Sequence, residues 1–285
     1  MRKIFAQAVI SACNTTETFF LTGDLGFMAL EDVREAFGDR FVNCGIAEQN
    51  MISVAAGLAR EGFKVFVYSI APFIYARAFE QIRNDVGFSH LSVCLVGNGG
   101  GYGYGHMGPT HHALEDCAAM AALGLRTLAP AFDADIPDAV SDWTGPTYLR
   151  LGLEVLPDGF TPPPPAPWRE LLPGKMGVWV TLGTLAGVAA SALKNYPVEK
   201  RPTLWCCSEL PPPLKVFMLW LKGSPLQFLK NMWQKEGLVW RLPVIFFYKV
   251  CILPGLNTIV HCAILLACLE PRLFIEESAD STQNP

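Results

Sequence analysis

The sequence predicts an α/β fold, a parallel sheet covered by helices, on three observations. Amphipathic helical segments alternate with short β-rich runs through the first half of the chain. A carboxylate, Glu48, stands where a loop turns into a helix between two strand-like regions. A proline-rich stretch then ends the pattern, and a strand, glycine turn and helix restart it beyond.

Apolar spacing predicts helices near Lys3 to Ala12, Leu30 to Phe37, Asn50 to Arg60, Tyr75 to Asp85 and Leu114 to Leu123. Thr15 to Val42 carries Gly and Asp turn signals. Lys64 to Tyr68 and Leu91 to Val96 read as strands, rich in β-branched and aromatic residues. Gly124 ends the helix that runs from Asp116, and Leu125 to Pro130 reads as the next strand. Thr147 to Leu151 closes this first domain, expected to span residues 1–160. Residues 161–168, mostly proline, predict a stiff linker, because consecutive prolines fix φ and remove donors. A second domain is expected over 169–285. Its Gly183-Thr-Leu-Ala-Gly187 reads as a βα turn or as an anion cradle at a helix start.

With 285 residues, 51% of them hydrophobic, the chain can bury one or two sizeable cores. A net charge of −4 and the lack of a basic patch interleaved with aromatics argue against a nucleic-acid partner. The N-terminal apolar run is short and fits an amphipathic helix better than a signal peptide, so a cytoplasmic location is expected. Nine cysteines show no metal-ligand spacing and suit reduced, buried thiols.

Apolar and small residues follow Glu48, in Met51 to Ala59. A carboxylate there is poorly hydrated, which raises its pKa and lets it trade a proton with a ring nitrogen. The plain alternative is a first-turn Glu favoured by the helix dipole.

Gly45-Ile-Ala-Glu-Gln-Asn50 with Ala55-Ala-Gly-Leu-Ala59, then Arg77-Ala-Phe-Glu-Gln-Ile-Arg83, then Gly108-Pro-Thr-His-His112 with Glu115-Asp116, resembles the pyrimidine-binding domain of transketolases, from about Phe5 to Pro157. The resemblance implies a thiamine diphosphate-binding fold followed by a partial transketolase C-terminal-like α/β domain. It implies transfer of a two-carbon ketol unit from a ketose to an aldose, with Glu48 hydrogen-bonding the pyrimidine ring of thiamine diphosphate. His111 matches the histidine of the Gly-Pro-Thr-His signature. His112 stands where Gln is common, and with His106 it is a candidate for proton relay or oxyanion stabilisation. Met107 replaces an aspartate that many transketolases use to read an acceptor hydroxyl, which puts acceptor specificity in question. Phe73, with Tyr75 behind it, is the candidate to stack on the pyrimidine, and core packing is the alternative for both. Asp24 matches a turn near the active-site entrance, or is an ordinary Asx-type turn residue. The glycine-rich stretch from Gly97 to Gly105 reads as a flexible loop closing over substrate.

Such enzymes hold the diphosphate through a metal, usually Mg²⁺, bound by a Gly-Asp-Gly motif and a downstream Asn that this sequence lacks. The resemblance is therefore to the C-terminal half of a split transketolase. It implies an N-terminal partner subunit that brings Mg²⁺ and the diphosphate site, self-association through the pyrimidine domain, sugar phosphate substrates, and no metal on this chain. A deoxyxylulose-phosphate synthase-like activity and a 2-oxoacid dehydrogenase β-like subunit are the alternative enzymes.

From about Pro211 the helical and strand periodicities stop, and five of the nine cysteines follow Trp205. Read out of phase, the codons of Met232 to Arg241 permit His-Val-Ala-Lys-Gly-Gly-Phe-Gly-Leu-Ala after Glu-Glu, which resembles the family's C-terminal domain. A frame slip near Pro211-Pro212-Pro213 is the expectation, with poor order after about residue 213. A frame-damaged, inactive subunit is the non-enzymatic alternative. Val250 to Leu269 is long enough to cross a bilayer, but Pro254, Asn257 and His261 argue against a membrane span.

Overall fold

The computed structural model describes residues 1–13 and 15–210, and the backbone of two short strands at 248–251 and 260–263. The chain divides into two compact units, Met1–Gly223 and Ser224–Pro285.

In the first unit, strands β1 (Thr18–Thr22), β2 (Phe41–Asn43), β3 (Lys64–Ile70), β4 (Val93–Asn98), β5 (Arg126–Leu128) and β6 (Thr147–Leu151) pair in parallel, in the order β5-β6-β4-β3-β1-β2. Helices α1 (Arg2–Ala12), α2 (Glu31–Phe37), α3 (Glu48–Arg60), α4 (Ala71–Tyr75), α5 (Phe79–Gln81), α6 (Asp116–Ala122) and α7 (Ile136–Ser141) connect them. The pleat sorts each strand between two cores. Val65 and Val67 of β3 join Met51, Ile52 and Ala55 of α3 on one face. Phe66 and Tyr68 join Phe5 and Val9 of α1 on the other. Both faces of the sheet are thus covered by helices, as a parallel sheet requires.

The expected helix Tyr75 to Asp85 is broken in the structure. Pro72 pre-sets the first turn, so α4 starts at Ala71, and the chain turns at 76–78 before α5 and a π-helical stretch, Ile82–Gly87. β1 and α7 have no counterpart in the sequence reading. The β1 residues Thr-Phe-Phe-Leu-Thr sit within a segment dominated by turn signals, and α7 is a short helix with a proline in its first turn.

The proline stretch 161–167 lies inside the first unit. Beyond it, β7 (Trp168–Leu172), β8 (Val178–Leu182), α8 (Leu185–Leu193) and β9 (Thr203–Cys207) form a three-stranded sheet, order β7-β9-β8, with its helix. β10 (Glu209–Leu210) then returns to pair antiparallel with β5. Two ion pairs hold this layer to the large sheet. Asp135 Oδ2 accepts from the amides of Ala131 and Phe132 at 3.0 and 3.1 Å and from Arg169 Nη2 at 2.6 Å. Arg126 donates bidentately to Glu209 at 3.0 and 2.9 Å. Gly183 and Gly187 serve packing: Gly183 Cβ would press on Ala129, and Gly187 leaves room for the carbonyl of Val155.

In the second unit, β11 (Tyr248–Cys251) and β12 (Val260–Ala263) pair antiparallel. The rest of the segment concerned by the frame-slip reading, 211–247, 252–259 and 264–285, lies outside the described residues. Among the described residues no helix is long and apolar enough to cross a membrane.

Asp135 and Arg169 are both about 95% buried, so removing one leaves the other charged and unpaired. Asp135→Ala is expected to cost ~3–5 kcal/mol in urea unfolding. A loss within ~0.5 kcal/mol, the range of an ordinary surface substitution, would show that the pair does not hold the second layer.

Candidate active site

β2 lies on one side of β1 and β3 on the other, so the connections leave in opposite directions and a crevice opens at the carboxyl ends of these strands. The loops that follow β1, β2, β3 and β4 at this edge carry every candidate residue.

After β2, Gly45 turns the chain with φ of +70° and α3 begins at Glu48. Met51, Ile52, Ala55, Ala56 and Ala59 give α3 its buried stripe and set it against the sheet. Glu48 is 2% exposed. Its Oε2 accepts from Arg77 Nη1 at 2.6 Å, and its Oε1 accepts from Ser69 Oγ of β3 at a long 3.4 Å. On the β1 side is Gly23, where a Cβ would come 3.8 Å from Oε1 and 3.4 Å from the Gly45 carbonyl. The carboxylate expected to be poorly hydrated is therefore buried, and it has a cationic partner as well.

Arg77 is the central residue that sequence reasoning missed. Its guanidinium lies 4.4 Å from the centre of the Phe73 ring, and the Phe73 ring meets the His111 imidazole edge-on at 5.1 Å. Glu48, Arg77, Phe73 and His111 thus form one contiguous set. The available signal was a single charge in the otherwise apolar run from Ile70 to Phe79.

Thr110 Oγ1 lies 3.0 Å from His111 Nδ1, which leaves Nε2 for other partners. His112 makes other contacts, with Nε2 3.3 Å from the Gly105 carbonyl and its ring edge-on to Tyr102 at 4.9 Å. His106 and Met107 occupy the exposed outer turn of the loop. Tyr75 donates its hydroxyl to Glu115 at 3.0 Å; burial and that neighbouring carboxylate push its pKa well up. Asp24, in the left-handed region at φ of +53°, pairs across the crevice edge with Asn43: Asn43 Nδ2 donates to Asp24 Oδ1 at 3.0 Å, and the Asp24 amide donates to Asn43 Oδ1 at 2.9 Å.

Close packing accounts for two of the glycines in the stretch expected to make a flexible loop. A side chain on Gly97 would overlap the Tyr148 hydroxyl, and one on Gly100 would overlap the Arg150 guanidinium. The Gly101 and Ala113 amides exchange hydrogen bonds at 2.8 and 2.9 Å, closing the base of the loop. Among the described residues no group of three or more His, Cys, Asp or Glu side chains is placed to hold a metal ion.

The parallel, doubly covered sheet matches that of solved transketolases, which is the thiamine diphosphate-binding fold. The family described as transketolase, pyrimidine binding domain, matches residues 1–151, and the chain belongs to that family. It is 37% identical over 139 residues to a subunit of the apulose-4-phosphate transketolase of Phocaeicola vulgatus, covering 47% of this chain and 45% of that protein. It is 35% identical over 157 residues to a putative transketolase C-terminal section of Methanocaldococcus jannaschii, covering 53% and 50%. The chain spans about half the length of these curated relatives. A solved structure described as a split gene transketolase, inactive β4 tetramer, superposes with a TM-score of 0.61 at 30% identity, over 74% of this chain and 72% of that one.

Arg77 is 42% exposed while Glu48 is 2% exposed, so the two members of the pair are not equivalent. Arg77→Met strands a buried carboxylate and is expected to cost ~1–3 kcal/mol, toward the lower end because water screens the arginine. Glu48→Gln leaves a half-exposed guanidinium that water can solvate, and is expected to cost less. Paired denaturation curves that give the reverse order would refute this account of the pair.

Proposed function

We propose that this chain is the C-terminal subunit of a two-subunit transketolase that moves a two-carbon ketol unit from a ketose phosphate to an aldose acceptor in the cytoplasm. The observation that carries this reading is Glu48, a carboxylate buried at the switch point with one oxygen held by Arg77 and the other loosely held. Residues 1–160 act as the pyrimidine-binding domain, and 169–285 as a C-terminal-like domain that the frame-slip reading interrupts after about residue 213.

The residues present fit thiamine diphosphate. Glu48 would receive the pyrimidine end, where Gly23 leaves open the space a side chain would fill beside Oε1. When bound, thiamine diphosphate supplies the carbon nucleophile and electron sink that protein side chains lack. Arg77 occupies Oε2, so Oε1 is the atom of Glu48 left to hold or release a proton. Arg77 lies against the ring of Phe73, so Phe73 would offer a stacking partner through the rest of its ring. His111, with Nδ1 at Thr110, offers Nε2 to relay a proton at the sugar. His106, His112 and Met107 are the further substrate-facing candidates, and Tyr75 and Asp24 frame the entrance. The resemblance assigns Mg²⁺ and the diphosphate site to an N-terminal partner, with two copies of each subunit in a heterotetramer. The relatives described as a transketolase subunit and as a C-terminal section support a partner of this kind.

The test mixes this chain with the product of a neighbouring gene that carries a Gly-Asp-Gly motif, thiamine diphosphate and Mg²⁺, and follows ketose cleavage. Activity is expected in the mixture and a loss of at least about a hundredfold in Glu48→Gln, the scale of a lost proton-transfer partner. Equal activity in Glu48→Gln would sink the role of Glu48. Activity that appears only after the frame is repaired at Pro213 would favour the damaged-subunit reading.

A further inference from the structure

The loop from Gly99 to Ala113 carries three of the five histidines of the chain, and both of its legs meet one buried side chain. Arg150 of β6 is 16% exposed, and Asp116, at the start of α6, is fully buried. Arg150 Nη2 donates to the Ala113 carbonyl at 2.6 Å, on the outgoing leg. On the incoming leg, Gly100 lies so close to the guanidinium that a methyl group there would overlap it. The Gly100 amide donates to the carbonyl of Leu151, the neighbour of Arg150, at 3.0 Å. Below the loop, Arg150 Nε stands 3.1 Å from Asp116 Oδ2, which also accepts from the Tyr148 hydroxyl at 2.7 Å. Tyr148 in turn fills the space left open by Gly97. Tyr75 adds a tie to Glu115 at 3.0 Å.

This arrangement exceeds what is needed to neutralise a buried aspartate. A hydrogen bond to a main-chain carbonyl fixes backbone position, and a charged donor makes that bond strong. The lack of a side chain at Gly97 of β4 makes room for Tyr148, and the lack of one at Gly100 lets Arg150 reach the loop. We propose that Arg150 is a positioning residue: its guanidinium, paired with Asp116, fastens the outgoing leg of the histidine loop at Ala113 and packs against Gly100 on the incoming leg, and so sets where His111 stands relative to Phe73 and Glu48. For catalysis this rests on the transketolase reading; for loop order it does not.

Two variants separate the role from general stability. Arg150→Lys keeps a positive charge for Asp116, but an ammonium cannot pair with Asp116 and also reach Ala113 as the fork does. Gly100→Ala keeps every charge and displaces the guanidinium. Hydrogen exchange is read for amides 101–113 and for β3 in the full chain, and ketose cleavage is read with the partner subunit. Exchange in the loop is expected to rise at least about tenfold in both variants, the scale of one lost charge-assisted hydrogen bond, while β3 keeps its protection. kcat is expected to fall by at least about tenfold, as misplaced reacting groups require, with the apparent affinity for thiamine diphosphate unchanged. Unchanged loop exchange in a folded variant overturns the proposal, as does an equal rise in β3. If Arg150→Lys fails to fold, Gly100→Ala decides alone. If the wild-type chain cleaves no ketose with its partner, the functional reading fails while the exchange comparison still tests the pinning.

Discussion

The reversal of strand order at β1 is the constraint on which the site depends. Because β2 and β3 lie on opposite sides of β1, the loops at this edge diverge, and the space between them is bounded by main chain with no strand crossing it. α3 starts there to return along the sheet, and its first residue, Glu48, faces inward while Gln49 and Asn50 stay exposed. Placing a carboxylate in that position is costly unless its oxygens are satisfied. Arg77 and Ser69 satisfy them from the β3 side, Arg77 at 2.6 Å and Ser69 at 3.4 Å. The asymmetry leaves one oxygen firmly held and the other able to exchange partners.

Ion pairs recur in the first unit, some buried and some partly exposed, with different consequences. Asp135 and Arg169, and Arg126 and Glu209, join segments separated by the proline stretch, which is why that stretch marks no break between compact units. A buried pair such as Asp135 and Arg169 gives little net stability relative to apolar residues, yet losing one partner is severe. Their effect is to specify which surface of the second layer meets the large sheet. Asp116 and Arg150 use the same chemistry beneath the histidine loop, where the specified geometry is that of the candidate site.

In the glycine-rich stretch that begins at the end of β4, two glycines answer to packing. Glycine clusters commonly mark freedom of the chain, and the stretch from Gly97 to Gly105 reads that way in sequence. In the structure Gly97 and Gly100 are small because Tyr148 and Arg150 occupy the adjoining volume. The partners arrive from a strand about fifty residues later, and no local pattern announces them. The broken helix after β3 has a similar origin: the turn at 76–78 carries Arg77 to Glu48, a contact whose other member lies on α3.

Local patterning determined much of the fold. Helical and strand periodicities placed α1, α2, α3, α6, β3, β4, β5 and β6 close to where they stand, because amphipathic stripes and buried β-rich runs are written in nearest neighbours. Ordered motifs pointed to Glu48, Phe73 and His111, which the structure brings into one contiguous set through Arg77. Sequence alone could not decide which charge meets Glu48, which side chain lies under the glycines, or that His112 turns toward Gly105 while His111 turns toward Phe73. Those facts depend on strand order and on contacts between residues far apart in the chain, so only tertiary packing decides them.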